Sequence, residues 1–149
     1  MLAGILDSWS ALYSNHASLR TAIEFAHVGG LLAGGGSALA ADLAIVRGGD
    51  PQLLKRTHVL VIAGLVALFA SGILLFAADV DTYLYSRVYW IKIALIVVLL
   101  VNGAVLWRAE RRAAAGENDA WKTLHYTAIA SLILWFATTL AGAALPNIG

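Results

Sequence analysis

The sequence predicts an all-α integral membrane protein, an antiparallel four-helix transmembrane bundle, and three observations carry that prediction. Hydrophobic residues make up 60% of the chain, charged residues only 13%, and mean hydropathy is +0.79, outside the range of ordinary soluble domains. Four stretches, Ile23 to Val46, His58 to Ala78, Val88 to Trp107 and Leu124 to Leu145, are each long enough to cross a hydrocarbon core about 30 Å thick. These runs are continuously apolar, whereas strands of a transmembrane barrel alternate over about 10 residues between turns. No linker is long enough to divide the chain, so residues 1–149 read as a single transmembrane domain.

Ahead of the first span, residues 2–19 contain Leu2, Ile5, Leu6, Trp9, Leu12 and Tyr13 at helical spacing. They predict a short amphipathic helix on the outer membrane surface, the alternative being a frayed terminus. The basic start and long apolar stretch of a cleavable signal peptide are missing, so this segment is expected to be retained. Span one is rich in small residues, with Gly30 and Gly34 in one row and Gly29, Ala33, Ser37 and Ala41 in another. Such rows let helix backbones approach closely in lipid. They serve packing between chains as well as within one, which leaves a homo-oligomer or a place in a larger membrane complex open.

The links between spans set orientation. Arg47, Lys55 and Arg56 lie in the first link, and Arg108, Arg111, Arg112 and Lys122 in the third, seven of the ten basic residues. The positive-inside rule puts these links in the cytoplasm and both termini outside. Gly48, Gly49 and Pro51 fit a tight first turn, the outer link ADVDTYLYSR is acidic and tyrosine-rich, and Trp107 and Trp121 bracket the third link as interfacial anchors.

Composition also excludes several functions. A net charge of +1 points to no nucleic-acid partner, and the lipid bilayer is the predicted environment. With no cysteine and one methionine there is no disulfide, no thiolate metal site and no soft-ligand Cu(I) site.

Ionisable residues inside a membrane segment are costly, so they mark candidate sites. On the outer side stand Glu24, His27 and Lys92. Glu24 and His27 at i, i+3 resemble half of a di-metal carboxylate site, but the other spans as bounded above hold no glutamate to complete it. The alternatives are a metal, cofactor or proton site, or an ion network in which Lys92 neutralises Glu24. Glu24 and Asp42 are 18 positions apart, five whole turns, and so are expected to share one face of span one about 27 Å apart.

On the inner side, His58 opens span two and His125 opens span four, which puts both imidazoles at one depth. Across the core of an up-down bundle they would suit axial ligation of haem b, and would equally be the candidates for another metal. Arg56, Arg112 and the neighbouring cations would pair with its propionates. His27, opposite Lys92 or His16, is a second candidate ligand. The bland alternative is a pair of interfacial histidines reaching toward headgroups.

Span one, EFAHVGGLLAGGGSALAADLAIV, with a histidine before a Gly-Gly pair, is similar to the first helix of a known family. Span two, LVIAGLVALFASGILLF, with its Ser71-Gly72 step, resembles that family's second helix. DTYLYSRVYWIKIALIVVLLVNGAVL resembles its tyrosine-containing loop and third helix with an embedded lysine, here Lys92. The family is the group of small bacterial four-helix inner-membrane proteins that includes the copper-resistance D domain and the HemJ-type protoporphyrinogen oxidase. The resemblance implies a multi-pass protein of the bacterial inner membrane linked to haem or metal handling, with His27 and Lys92 at motif positions.

The leading expectation is a haem-b-binding membrane protein for electron transfer or haem handling, working with a membrane redox partner. Two alternatives stand beside it: a cofactor-free subunit packed in a larger complex, and a proton or metal-ion carrier using Glu24, His27 and Asp42. No residue is assigned a catalytic role.

Overall fold

The computed structural model describes the backbone of residues 2–49 and 52–148 and the side chains of residues 4–49 and 57–147. Over these residues the protein is all-helical: α1 (Leu2–Asn15), α2 (Ala17–Gly30), a π-helical turn (Leu31–Gly35), α3 (Gly36–Val46), α4 (Gln52–Ala78), α5 (Val80–Tyr85), α6 (Arg87–Ala114) and α7 (Asn118–Ile148). Four helical stretches are long and apolar enough to cross a membrane: Ala17–Val46, which runs through the π turn, Thr57–Ala78, Arg87–Ala114 and Asn118–Asn147. Their outer faces are apolar, with Phe25 76% and Val59 74% exposed. Such a surface is stable where lipid, not water, is the solvent. This is a multi-pass membrane protein.

The helices overrun the expected spans where the local sequence favours it. α6 continues seven residues past Trp107 because RAERRAA contains no breaker and is made of strong helix formers. It stops near Gly116, whose φ of +88° suits glycine. α7 opens at Asn118 rather than Leu124, with Asp119 in its first turn facing the positive end of the helix dipole. The link between the second and third spanning stretches holds α5, entered at Asp79, whose Oδ1 accepts from the Thr82 N–H at 3.3 Å. Ser86 then caps α6, its Oγ accepting from the Tyr89 N–H at 3.1 Å. The expected amphipathic helix ends at Asn15, and the first spanning stretch starts at Ala17.

The chain forms two compact units, Met1–Gly36 with Val59–Tyr85, and Ser37–His58 with Ser86–Gly149. In the first unit α2 and α4 meet backbone to backbone. A Cβ placed on Gly30 would stand 2.9 Å from Gly64 O, and one on Gly34 would stand 3.0 Å from Gly64 Cα and 3.2 Å from Val61 O. Partners fall in number on α4 as residues rise on α2 and the π turn. The row Gly30, Gly34 is therefore the contact row. Gly29, first in the other expected row, has no atom within 4 Å of a Cβ position, and Ala33 is exposed. Half-buried Leu6, Trp9 and Tyr13 form the inward stripe of α1. Trp9 Nε1 donates to Leu74 O at 2.9 Å, tying α1 to α4.

In the second unit the core joins Ala41 and Ile45 of α3 to Leu106, Ala109 and Ala113 of α6 and Ala120, Leu124 and Ala128 of α7. Small side chains at three- and four-residue spacing bring these helices close. Asn102 Nδ2 donates to Thr127 O at 2.9 Å, a further tie between α6 and α7.

Candidate functional site

The second unit holds the most deeply buried acids among the described residues. Asp42, one turn before the end of α3, is 3% exposed. It is hydrogen-bonded by the Ser131 hydroxyl of α7, itself 6% exposed, while its Oδ2 is buried with no hydrogen-bond partner. A carboxyl oxygen in that state is expensive in an apolar surrounding and is a place for a proton or a cation.

Asp42 meets α7 on a defined stripe. Leu124, Ala128, Ser131, Trp135, Thr138 and Gly142 are spaced by alternating fours and threes; Leu124 and Ala128 are fully buried and Trp135 is 5% exposed. Thr138 Oγ1 is a second buried oxygen on this stripe with no hydrogen-bond partner. At Gly142 the stripe reaches Lys92 of α6, whose Nζ is 3.4 Å from the position a Cβ on Gly142 would take. An acid, two hydroxyls and an amine therefore lie along one helix face, over about 16 Å from Ser131 to Gly142.

Near the C-terminal end of α6, Glu110 is 7% exposed and its Oε2 lies 3.3 Å from His58 Nε2 at the start of the second spanning stretch. His125 is not part of this arrangement. It follows fully buried Leu124 by one residue, about 100° around the helix, and so falls on the exposed face, where its ring stands edge-on to Tyr126 at 6.3 Å. Arg112, expected at a propionate, binds Glu117 through Nε at 2.8 Å and Nη2 at 2.6 Å. The Arg56 side chain lies outside the described residues.

In the first unit His27 is half-buried, its Nδ1 2.9 Å from Ser71 Oγ. Ser71 donates its own proton to Ala67 O at 2.5 Å, so His27 Nδ1–H is the donor to the serine oxygen. Gly72 leaves room for the ring, with His27 Cε1 3.6 Å from its Cβ position. Glu24 is exposed and accepts from Tyr13 OH at 3.1 Å. Partial burial and the Glu24 carboxylate push the Tyr13 phenol above its usual range. Glu24, for which pairing with Lys92 was one alternative, belongs to the first unit and Lys92 to the second.

Glu24 and Asp42 were expected on one face of an unbroken helix; Glu24 is exposed and Asp42 buried. The π turn between them is wider than an α turn and shifts the helical phase. Of the four residues expected to bind metal, Glu24 and His27 belong to the first unit and His58 and His125 to the second, and among the described residues no three His, Cys, Asp or Glu side chains form a group that could hold a metal ion. Ser71 takes His27, Tyr13 takes Glu24, Glu110 takes His58, and His125 faces outward.

Glu110, Ser131 and Thr138 were not singled out in the sequence. Glu110 lay in a segment read as a link, although Leu106, Ala109, Glu110 and Ala113 continue one helical face and would have signalled its burial. The chain matches no protein-family model, no curated protein and no solved structure.

Proposed function

We propose that this protein moves protons or small cations across a membrane, with Asp42 as the exchanging group. The observation that carries the reading is the buried Asp42 Oδ2 with no hydrogen-bond partner inside a membrane-spanning stretch, since intramembrane acids that no structural partner satisfies are most often functional. Ser131 holds the other side of the carboxyl, Thr138 extends the polar line along α7, and Lys92 ends it. The bundle is antiparallel with both termini outside, a reading supported by the cations of the first and third links and by the opposed numbering of the α2 and α4 contacts. By family resemblance its membrane is the bacterial inner membrane.

The test is proton flux into proteoliposomes under a potassium diffusion potential, followed with an internal pH dye. Wild-type protein is expected to acidify the lumen well above protein-free vesicles, and Asp42→Asn, which keeps shape and the Ser131 contact, to fall to that background. Wild-type flux from folded Asp42→Asn protein, for protons and alkali cations alike, defeats the proposal.

Haem b binding, for electron transfer or haem handling, is the second proposal. One observation favours it: a carboxylate beside an imidazole nitrogen, as Glu110 is beside His58, orients ligating histidines. Ligation by both His58 and His125 requires His125 to leave the exposed face it occupies. Protein made with haem supplied is expected on this reading to show a Soret band with sharp α and β bands after dithionite. A featureless visible spectrum rejects it.

A further inference from the structure

A groove of about 320 Å³ opens in the second unit among Ile45, Gly48, Trp121, Lys122, His125 and Tyr126. Its shape follows from how α3 ends. Gly48, at φ +77°, donates its N–H to Ile45 O at 2.9 Å, and Gly49 donates to Ala44 O at 2.8 Å, so the last carbonyls of α3 are satisfied as the chain turns away. The turn carries no side chain at Gly48, and the space beside the first turns of α7 stays open.

We propose that this groove binds one anionic phospholipid, its phosphate at Lys122 and His125 and the start of an acyl chain along Ile45, Trp121 and Tyr126. Three features select that occupant. The lining is mostly apolar and aromatic and includes two side chains one helical turn apart that can carry positive charge, Lys122 and His125, which matches a molecule that is part ionic and part hydrocarbon. Trp121 is 41% and Tyr126 71% exposed, and such rings settle at headgroup depth. The charges nearby are complementary: Arg47 adjoins Gly48, and Arg108 and Arg111 close the same end of the unit, while the acids Glu110 and Glu117 are engaged by His58 and Arg112. Asp119 is the acid left beside the site, one turn before Lys122. Basic pockets at helix ends bind anionic headgroups in this way. A soluble anion would gain nothing from the aromatic walls.

The site shares no residue with the Asp42 line, so either proposal can fail alone. The test is native mass spectrometry of the intact protein released from micelles containing equal phosphatidylglycerol and phosphatidylcholine. Wild-type protein is expected to retain one phosphatidylglycerol in preference to phosphatidylcholine. Lys122→Gln should lower that preference about fivefold, Lys122→Gln/His125→Gln should abolish it, and Lys122→Arg should keep it. These positions are exposed, and an unchanged thermal midpoint confirms that each variant folds. Equal retention of the two lipids by wild type, undiminished preference in the double variant, or full displacement of the lipid by millimolar inorganic phosphate overturns the proposal.

Discussion

Gly64→Leu is expected to break the α2–α4 pairing and to cost more stability than a substitution at any other described glycine. A Cβ at Gly64 would fall onto the backbone N and Cα of Gly34 and stand 2.7 Å from Gly30 O. Backbone atoms cannot swing aside as the end of a flexible side chain can, so the helices must separate and lose the dispersion contacts that hold them in lipid. Overpacking of this kind costs about 1–3 kcal/mol or more. Gly64→Ala should lie at the low end of that range and Gly64→Leu beyond it. Gly103, also in a spanning helix, has no atom within 4 Å of its Cβ position, so Gly103→Ala should be neutral or stabilise slightly through better helix propensity. Unfolding by SDS titration, followed by circular dichroism, measures all three. A Gly64→Ala midpoint equal to that of Gly103→Ala would show that the close contact is not a determinant of stability.

The contrast between those two glycines shows what the sequence made legible. Four membrane-crossing stretches could be read because run length and composition answer directly to the thickness of the bilayer. Gly30 and Gly34 could be read as a packing row because four-residue spacing puts them on one face. Their partner Gly64 could not, since pairing depends on how two helices meet, and spacing within one segment carries no record of it. The polar groups were harder for the same reason. His58 stood out as a lone imidazole, but its partner Glu110 was assigned to a link because charged residues end a hydropathy window before they end a helix. Asp42 was noticed, but the phase argument that set it beside Glu24 assumed an uninterrupted α-helix through GGLLAGGG, where a π turn intervenes. Ser131 and Thr138 are ordinary residues in apolar spans; only the stripe that joins Asp42 to Lys92 gives them a role.

Replacing His58 by leucine is expected to destabilise the protein more than replacing His58 and Glu110 together. Glu110 is 7% exposed, and its Oε2 faces the imidazole at 3.3 Å. Without that ring the Glu110 carboxyl, buried in an alanine-rich core, loses its contact with the imidazole, and losing one partner of a buried polar group costs about 1–3 kcal/mol. The His58 side chain is 31% exposed, so water can reach into the gap and the loss should fall near the lower end. His58→Leu/Glu110→Leu removes the buried carboxyl as well as the imidazole and fills both places with apolar volume suited to lipid. The double variant should therefore recover much of the loss, and the coupling energy should be at least about 1 kcal/mol, as for residues in direct contact. SDS-unfolding free energies of the two single variants and the double variant close the cycle. Additive single losses would mean that His58 and Glu110 are held independently, and that the carboxylate beside His58 neither orients the imidazole nor depends on it.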